Sequence, residues 1–199
     1  MHMKYKNIVF DFGNVIGKFD GNYILKQFCP SPEDMDILLP ALYRNWQALD
    51  AGTIDYEENI ETAAAQVPER LQAVVRDFFR RWPEYVSPIP QTYELISQLK
   101  EKGADLYLLS NAPTYFASLA SRWPVLRDFS GIVFSAPVKM VKPDPGIYLY
   151  LFQTYGLKPE ECFFIDDLED NIEAGRKLGM DGIVFTGDTE KVKKFIQFF

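Results

Sequence analysis

The chain has 199 residues, 47% apolar and 25% charged, which is too hydrophobic for disorder and long enough for one domain, or one with a sizeable insertion. Against 21 basic side chains stand 28 acidic ones, and the net charge of −7 argues against a generic nucleic-acid binder, which needs a cationic surface to displace counterions. No apolar stretch approaches the roughly 18 residues that span a bilayer, and residues 1–6 lack the apolar core of a signal peptide. The two cysteines, Cys29 and Cys162, make neither a disulfide framework nor a zinc motif, and Cys162 opens an apolar run that predicts a buried, inert thiol. A soluble, cytoplasmic, monomeric protein with no membrane or nucleic-acid partner is expected.

Five short apolar runs stop abruptly at polar or small residues. Asn7–Phe10 ends before Asp11, Leu106–Leu109 before Ser110, Ile132–Phe134 before Ser135, Cys162–Ile165 before Asp166, and Ile183–Phe185 before Thr186. Near-continuous hydrophobicity without alternation is what strands buried on both faces of a parallel sheet require. Between them, Gln91–Lys102 reads as an amphipathic helix ending at Gly103. Pro143–Tyr155 reads as another, with Asp144 as N-cap, Pro145 at the first position and Gly156 beyond. Glu169–Leu178 carries acidic residues early and basic residues late, matched to the helix dipole, with Gly179 following. Such alternation predicts an α/β fold with a doubly wound parallel sheet, whose ligands sit beyond the carboxyl ends of the strands.

From Gly17 to Val86 no comparable strand run occurs. Ser31-Pro32-Glu33-Asp34 reads as an N-cap followed by Pro and acidic first-turn residues, Asp55 with Glu57 and Glu58 repeats the pattern, and Pro68–Trp82 has helical spacing. An all-helical insertion over 17–86 is predicted, with Ser87-Pro88-Ile89-Pro90 returning the chain to the sheet. Two linkers at one junction make this insertion a candidate lid.

Asp11-Phe12-Gly13 matches a kinase magnesium motif, but no catalytic-loop pattern or Gly-rich strand accompanies it. Gly13 to Phe19 fails as a phosphate-binding loop, with three residues between its glycines instead of four and Phe19 where Ser or Thr is needed. Taken singly, Asp11 reads as a turn residue, Asp166-Asp167 as acids at a helix start, Ser110 as a cap and Lys142 as a surface charge. Jointly they read differently. The sheet brings Asp11 and Asp167 to neighbouring strand ends, where oxygen-only ligation suits Mg²⁺. Ser110-Asn111 and Lys142 offer a hydroxyl, backbone donors and a fixed positive charge for a phosphate; Lys139 is the rival to Lys142. Like charges about 4 Å apart repel by roughly 4 kcal/mol at an effective dielectric near 20, so these carboxylates with a phosphoester require a cation.

In order and strand-end placement, four segments resemble the four motifs of the haloacid dehalogenase (HAD) superfamily. They are Asn7–Ile16, Leu108–Asn111, Lys142-Pro143-Asp144-Pro145 with Ile147-Tyr148, and Phe163–Asn171 running into Ile172-Glu173-Ala174-Gly175. The likeness divides the chain into a catalytic core at 1–16 and 87–199 and, over 17–86, a helical insertion similar to that family's C1 cap. Asp-Phe-Gly-Asn-Val-Ile and the Asp-Asp-x-x-x-Asn ending are similar to those of bacterial α-D-glucose-1-phosphate phosphatases. What the resemblance implies is a Mg²⁺-dependent phosphatase that hydrolyses a small phosphorylated metabolite, a sugar phosphate, through an aspartyl-phosphate on Asp11. By the same resemblance the metal set is Asp11, the Gly13 carbonyl and Asp167, with Asp166 and Asn171 in or near the second rank. Ser110 and Asn111 would hold phosphoryl oxygens, and Lys142 would balance their charge. Trp46, Asp50 and the Ala51-Gly52-Thr53 turn form the expected substrate-facing loop, with Trp46 offering a stacking surface.

One position departs from the family pattern. Most family phosphatases carry a second Asp two residues after the nucleophile, as general acid and base; here Gly13 stands there. His2, the only histidine, lies near a terminus expected to fray and is a poor replacement. General acid catalysis contributes about 10²–10⁴-fold, so an easily departing group such as an anomeric oxygen would suffer least. A mutase needs the missing residue, and a dehalogenase has no need of the acidic pair. The alternative reading is a weakly active or non-catalytic protein that binds a phosphorylated ligand or a partner.

Overall fold

The protein is described by a computed structural model over residues 3–198; His2 lies outside the described residues. Its strands are β1 (Asn7–Phe10), β2 (Gly17–Lys18), β3 (Ser87–Pro88), β4 (Asp105–Ser110), β5 (Gly131–Phe134), β6 (Cys162–Asp166) and β7 (Asp181–Val184). Five of them form a wholly parallel sheet in the order β5-β4-β1-β6-β7. The chain runs from β1 outward to β4 and β5, then crosses back to β6 and β7. The strand order therefore reverses beside β1, and a crevice opens at that switch point.

Burial on both faces explains the unbroken apolar runs. On one face Ile8, Phe10, Leu106, Leu108, Phe163 and Ile165 pack with Leu95, Ile96 and Leu99 of the helix Pro90–Glu101 and with Val192 and Ile196 near the last helix. On the other, Val9, Tyr107, Leu109, Cys162 and Phe164 meet Ile147, Tyr148, Leu151 and Phe152 of the helix Pro145–Tyr155, together with Ile172 of Glu169–Lys177. Asp144 caps its helix as expected, accepting from the Gly146 amide at 2.7 Å. Cys162 is buried, and burial pushes its thiol up to about 11, so it is a packing residue.

Between β2 and β3 lie the helices Gly21–Lys26, Met35–Tyr43, Trp46–Asp50, Tyr56–Ala64 and Glu69–Arg81, with short 3₁₀ turns. Asp55 caps Tyr56–Ala64 through the Glu58 amide. Ser31 does not cap a helix: its hydroxyl donates to Asp34 at 3.0 Å, Arg70 holds the same carboxylate at 2.6 Å, and the α-helix starts only at Met35. The segment also holds β2, which pairs antiparallel with β3 where the chain enters and leaves the helices. A two-residue strand is too short to leave a periodic signature. One apolar cluster runs without a break from the sheet face into these helices, through Ile24, Leu25, Phe78, Phe79 and Trp82. No helix of the described residues is long and apolar enough to cross a membrane.

The turn after Trp46–Asp50 docks on the sheet domain by a close backbone approach. Gly52 has φ +63°, and a Cβ there would lie 2.2 Å from the Ala136 carbonyl oxygen. Beside it, the buried Ser135 hydroxyl donates to the Asp50 carbonyl at 2.5 Å and accepts from the Ala112 amide at 2.9 Å. Gly52→Ala is expected to lower unfolding free energy by about 1–3 kcal/mol, the range for a non-glycine residue forced into such backbone. Denaturant unfolding measures this, and a wild-type midpoint would contradict the docking geometry.

Candidate active site

Three strand ends and one loop build the site. Asp11 follows β1, Ser110 closes β4, Asp166 ends β6 with Asp167 just beyond it, and Lys142 lies in the loop before the helix Pro145–Tyr155. The Asp11 amide still bonds to the Ile165 carbonyl at 2.9 Å, so Asp11 sits in register with β6 although the strand has ended. One ligand oxygen from each of Asp11, Asp166 and Asp167 lies within 4.8 Å of the others.

Lys142 is 4% exposed and reaches Asp11 Oδ1 at 2.8 Å and Asp166 Oδ2 at 2.6 Å. Burial alone would lower its pKa; the two carboxylates outweigh this and hold it above the ordinary amine value. Asp166, fully buried, spends both oxygens inside the protein: Oδ1 accepts from the Leu168 amide at 2.8 Å, and Asn171 Nδ2 bonds to both oxygens at 3.0 Å. Asp11 is raised to about 6, first by burial and then by the nearby charges of Asp166 and Asp167, against the pull of Lys142. Asp167 is raised by burial and by Asp166, while Asn14 Nδ2, at 3.0 Å from its Oδ2, opposes the shift. The cluster therefore carries more negative charge than one ammonium balances.

Two asparagines do work that sequence patterning does not reveal. Asn111 presents its side-chain amide to the backbone of Lys142, donating to its carbonyl at 2.9 Å and accepting from its amide at 2.8 Å. That clamp fixes the lysine loop and commits the Asn111 side chain. Asn14, in left-handed backbone at φ +53°, joins Asp167 to the Phe19 amide. The one signal for Asn14 was its residue type, since Asn tolerates that conformation in a tight turn. Gly13 sits against the nucleophile-like carboxylate, with its would-be Cβ 3.9 Å from Asp11 Oδ2.

A cavity of about 340 Å³ opens over this cluster, lined by Asp11, Gly13, Ser110, Asn111, Lys142, Asp167 and Asn171 and, from the helical segment, by Phe19, Trp46, Asp50 and Trp82. Trp46 is half-buried and packs between Phe19 (5.7 Å between centroids), Tyr43 and Trp82 (5.2 Å) while facing the cavity. It is at once core and lining. Lys139, the rival cation, is exposed in left-handed backbone at the end of Ser135–Val138 and does not line the cavity.

A family model described as a haloacid dehalogenase-like hydrolase matches residues 5–179. The chain belongs to the haloacid dehalogenase-like hydrolases. Among relatives of this hydrolase, a sesquiterpene phosphatase of Aspergillus oryzae is 24% identical over 92% of the chain and 90% of its own length. A D-ribitol-5-phosphate phosphatase of Bacteroides thetaiotaomicron is 26% identical over 88% and 89%. Against a phosphoglycolate phosphatase of Pseudomonas putida, at 24% identity, 68% of the chain covers 49% of the relative. A HAD family enzyme of Bacteroides thetaiotaomicron, crystallised with magnesium and inorganic phosphate, shares the fold at a TM-score of 0.73 and 21% identity, over 94% of this chain and 98% of that one. The L-2-haloacid dehalogenase of Xanthobacter autotrophicus shares it at 0.65 and 16% identity, over 89% and 76%.

Asp50 is the lining residue whose state is least satisfied. Burial, and then the charge of Asp11, push its carboxyl up to about 7, against Lys142. Its Oδ1 is buried with no hydrogen-bond partner. Because the folded state binds this proton more tightly than the unfolded chain, whose carboxyl titrates near 3.8, stability falls as pH rises from about 4 to about 7. Asp50→Asn removes that loss. The variant is expected to melt above wild type at pH 8 and to converge with it near pH 4, as read by circular dichroism; a deficit at pH 8 would contradict the assignment.

Proposed function

We propose that this hydrolase is a Mg²⁺-dependent phosphatase that removes phosphate from a small phosphomonoester, of the sugar-phosphate class, by way of a phosphorylated Asp11. The observation that carries the reading is the cluster of Asp11, Asp166 and Asp167 oxygens within 4.8 Å of one another, beside one buried ammonium. Phosphatase names recur among the relatives, and the family neighbour crystallised with magnesium and phosphate supports the same chemistry.

The donor set fits magnesium. It is all oxygen, and its three carboxylates outnumber the one ammonium of Lys142. Asp166 is committed to Lys142, Asn171 and the Leu168 amide, so Asp11, Asp167 and the adjacent Gly13 carbonyl would hold the ion, with Asp166 behind them. Magnesium, when bound, would neutralise carboxylate and phosphate charge so that an anion can approach an anion.

The chain's own residues account for the remainder. Asp11, on the rigid end of β1, presents a carboxylate oxygen to phosphorus. Ser110 and the Asn111 backbone amide offer donors to the phosphoryl oxygens, and Lys142, held by the Asn111 side chain, supplies a fixed positive charge. The aromatic wall of Phe19, Trp46 and Trp82 suits the flat apolar face of a sugar ring.

A panel of sugar phosphates and p-nitrophenyl phosphate, with and without chelator, tests the reading. Wild type should be active only with Mg²⁺, Asp11→Asn inactive, and Lys142→Ala slower by about 10²–10³, the usual loss for one such contact. Turnover that survives Asp11→Asn or ignores chelation overturns it.

A further inference from the structure

We propose that Asp50, supplied by the helical segment, is the proton donor and acceptor that Gly13 cannot be. The inference rests on the phosphatase reading above and adds a catalytic residue to it.

Three observations carry it. First, the Asp50 backbone is pinned to the sheet domain: Ser135, buried beneath it, donates to the Asp50 carbonyl at 2.5 Å, and Gly52 abuts the Ala136 carbonyl. Its side chain is thus delivered to the cavity from a fixed platform, although it comes from a five-residue helix. Second, Asp50 Oδ1 is buried and unpartnered, while the other cavity carboxylates are engaged: Asp11 by Lys142, and Asp167 by Asn14. An acid left without a partner in a folded protein costs stability unless something arrives to pair with it. Third, Asp50 joins the docking contact through its backbone carbonyl and not its side chain, so the contact does not need a carboxyl at this position. The charged groups that act on Asp50 are Asp11 and Lys142, of opposite sign, and burial holds its carboxyl above the ordinary carboxylate range.

The chemistry balances. As the Asp11 oxygen bonds to phosphorus and the ester P–O bond breaks, the Asp50 carboxyl passes its proton to the departing oxygen, which leaves as a neutral alcohol. The Asp50 carboxylate then takes a proton from water as the water oxygen bonds to phosphorus and the Asp11–phosphorus bond breaks. Inorganic phosphate is released, and both side chains return to their starting states.

The test uses three aromatic phosphate esters of similar size and rising leaving-group basicity, two aryl (p-nitrophenyl and phenyl phosphate) and one alkyl (benzyl phosphate), with Mg²⁺. Asp50→Asn and Asp50→Ser are measured in parallel with wild type and Asp11→Asn, each checked for folding by circular dichroism. p-Nitrophenolate departs without a proton, so the Asp50 variants should release about one equivalent in a burst, then turn over about 10²–10⁴-fold more slowly, because only dephosphorylation is impaired. Benzyl alcohol release should fall by a similar factor from the first turnover, with no burst. An equal slowing of the first turnover for all three esters, or no slowing in steady state, overturns the assignment of Asp50 while leaving Asp11 in its role. Wild-type protein that hydrolyses neither these three esters nor any sugar phosphate of the panel above overturns both.

Discussion

A buried ammonium between two carboxylates organises this molecule. Lys142 bridges Asp11 and Asp166 from adjacent strand ends, and neither the lysine nor Asp166 is open to solvent. Taking such charges out of water is costly, and the attraction between them offsets the loss only where every remaining lone pair and proton is met. The surrounding structure supplies that for Asp166. Asn171 and the Leu168 amide complete Asp166, and Asn111 locks the lysine backbone from β4. The ammonium still leaves a surplus of negative charge on Asp11 and Asp167. That surplus makes the crevice hospitable to a cation.

Much of this was legible in the amino-acid sequence because parallel strands buried on both faces have a plain signature. Ile8, Val9 and Phe10 read as an apolar run, Asp11 breaks it, and that break is where β1 ends. The same logic held at Ser110 and Asp166, although both close their strands by pairing within them rather than following them. Helix ends were legible where a local cap decides them, as at Asp144 and Asp55. At Ser31 the local rule failed because the hydroxyl donates to the Asp34 carboxylate, which Arg70 holds from a distant helix, instead of accepting a backbone amide. The ribbon of β2 and β3 was invisible for a different reason: two residues cannot establish a period. The clamp of Asn111 on Lys142 and the unpartnered oxygen of Asp50 depend on segments that the sequence separates by tens of residues. No spacing rule reports such meetings.

The two sides of the cavity divide the labour of recognition. The carboxyl ends of β4, β1 and β6 contribute charge and hydrogen-bonding groups, which suit the phosphate common to every phosphomonoester. The helical segment contributes rings, in a sequence of contacts from Phe19 through Trp46 to Trp82 and on to Phe116, where Trp82 and Phe116 stack at 5.3 Å. Those rings are also part of the apolar cluster that joins helices to sheet. A substitution that tunes the lining therefore also disturbs packing, and the wall has little freedom to change shape independently of the fold.

The chain crosses between sheet and helices twice, and both crossings run side by side, bonded to each other through Gly17 with Pro88 and Lys18 with Ser87, and through the Ile89 amide to the Ile16 carbonyl at 2.9 Å. Two cords tied together along their length act as a flap of leather rather than a ball joint. The helices thus leave the sheet through a short backbone ladder, and the turn bearing Asp50 and Gly52 is seated against Ser135 and Ala136 at some distance along the chain from it, so two separate tethers hold the two walls of the crevice in one register.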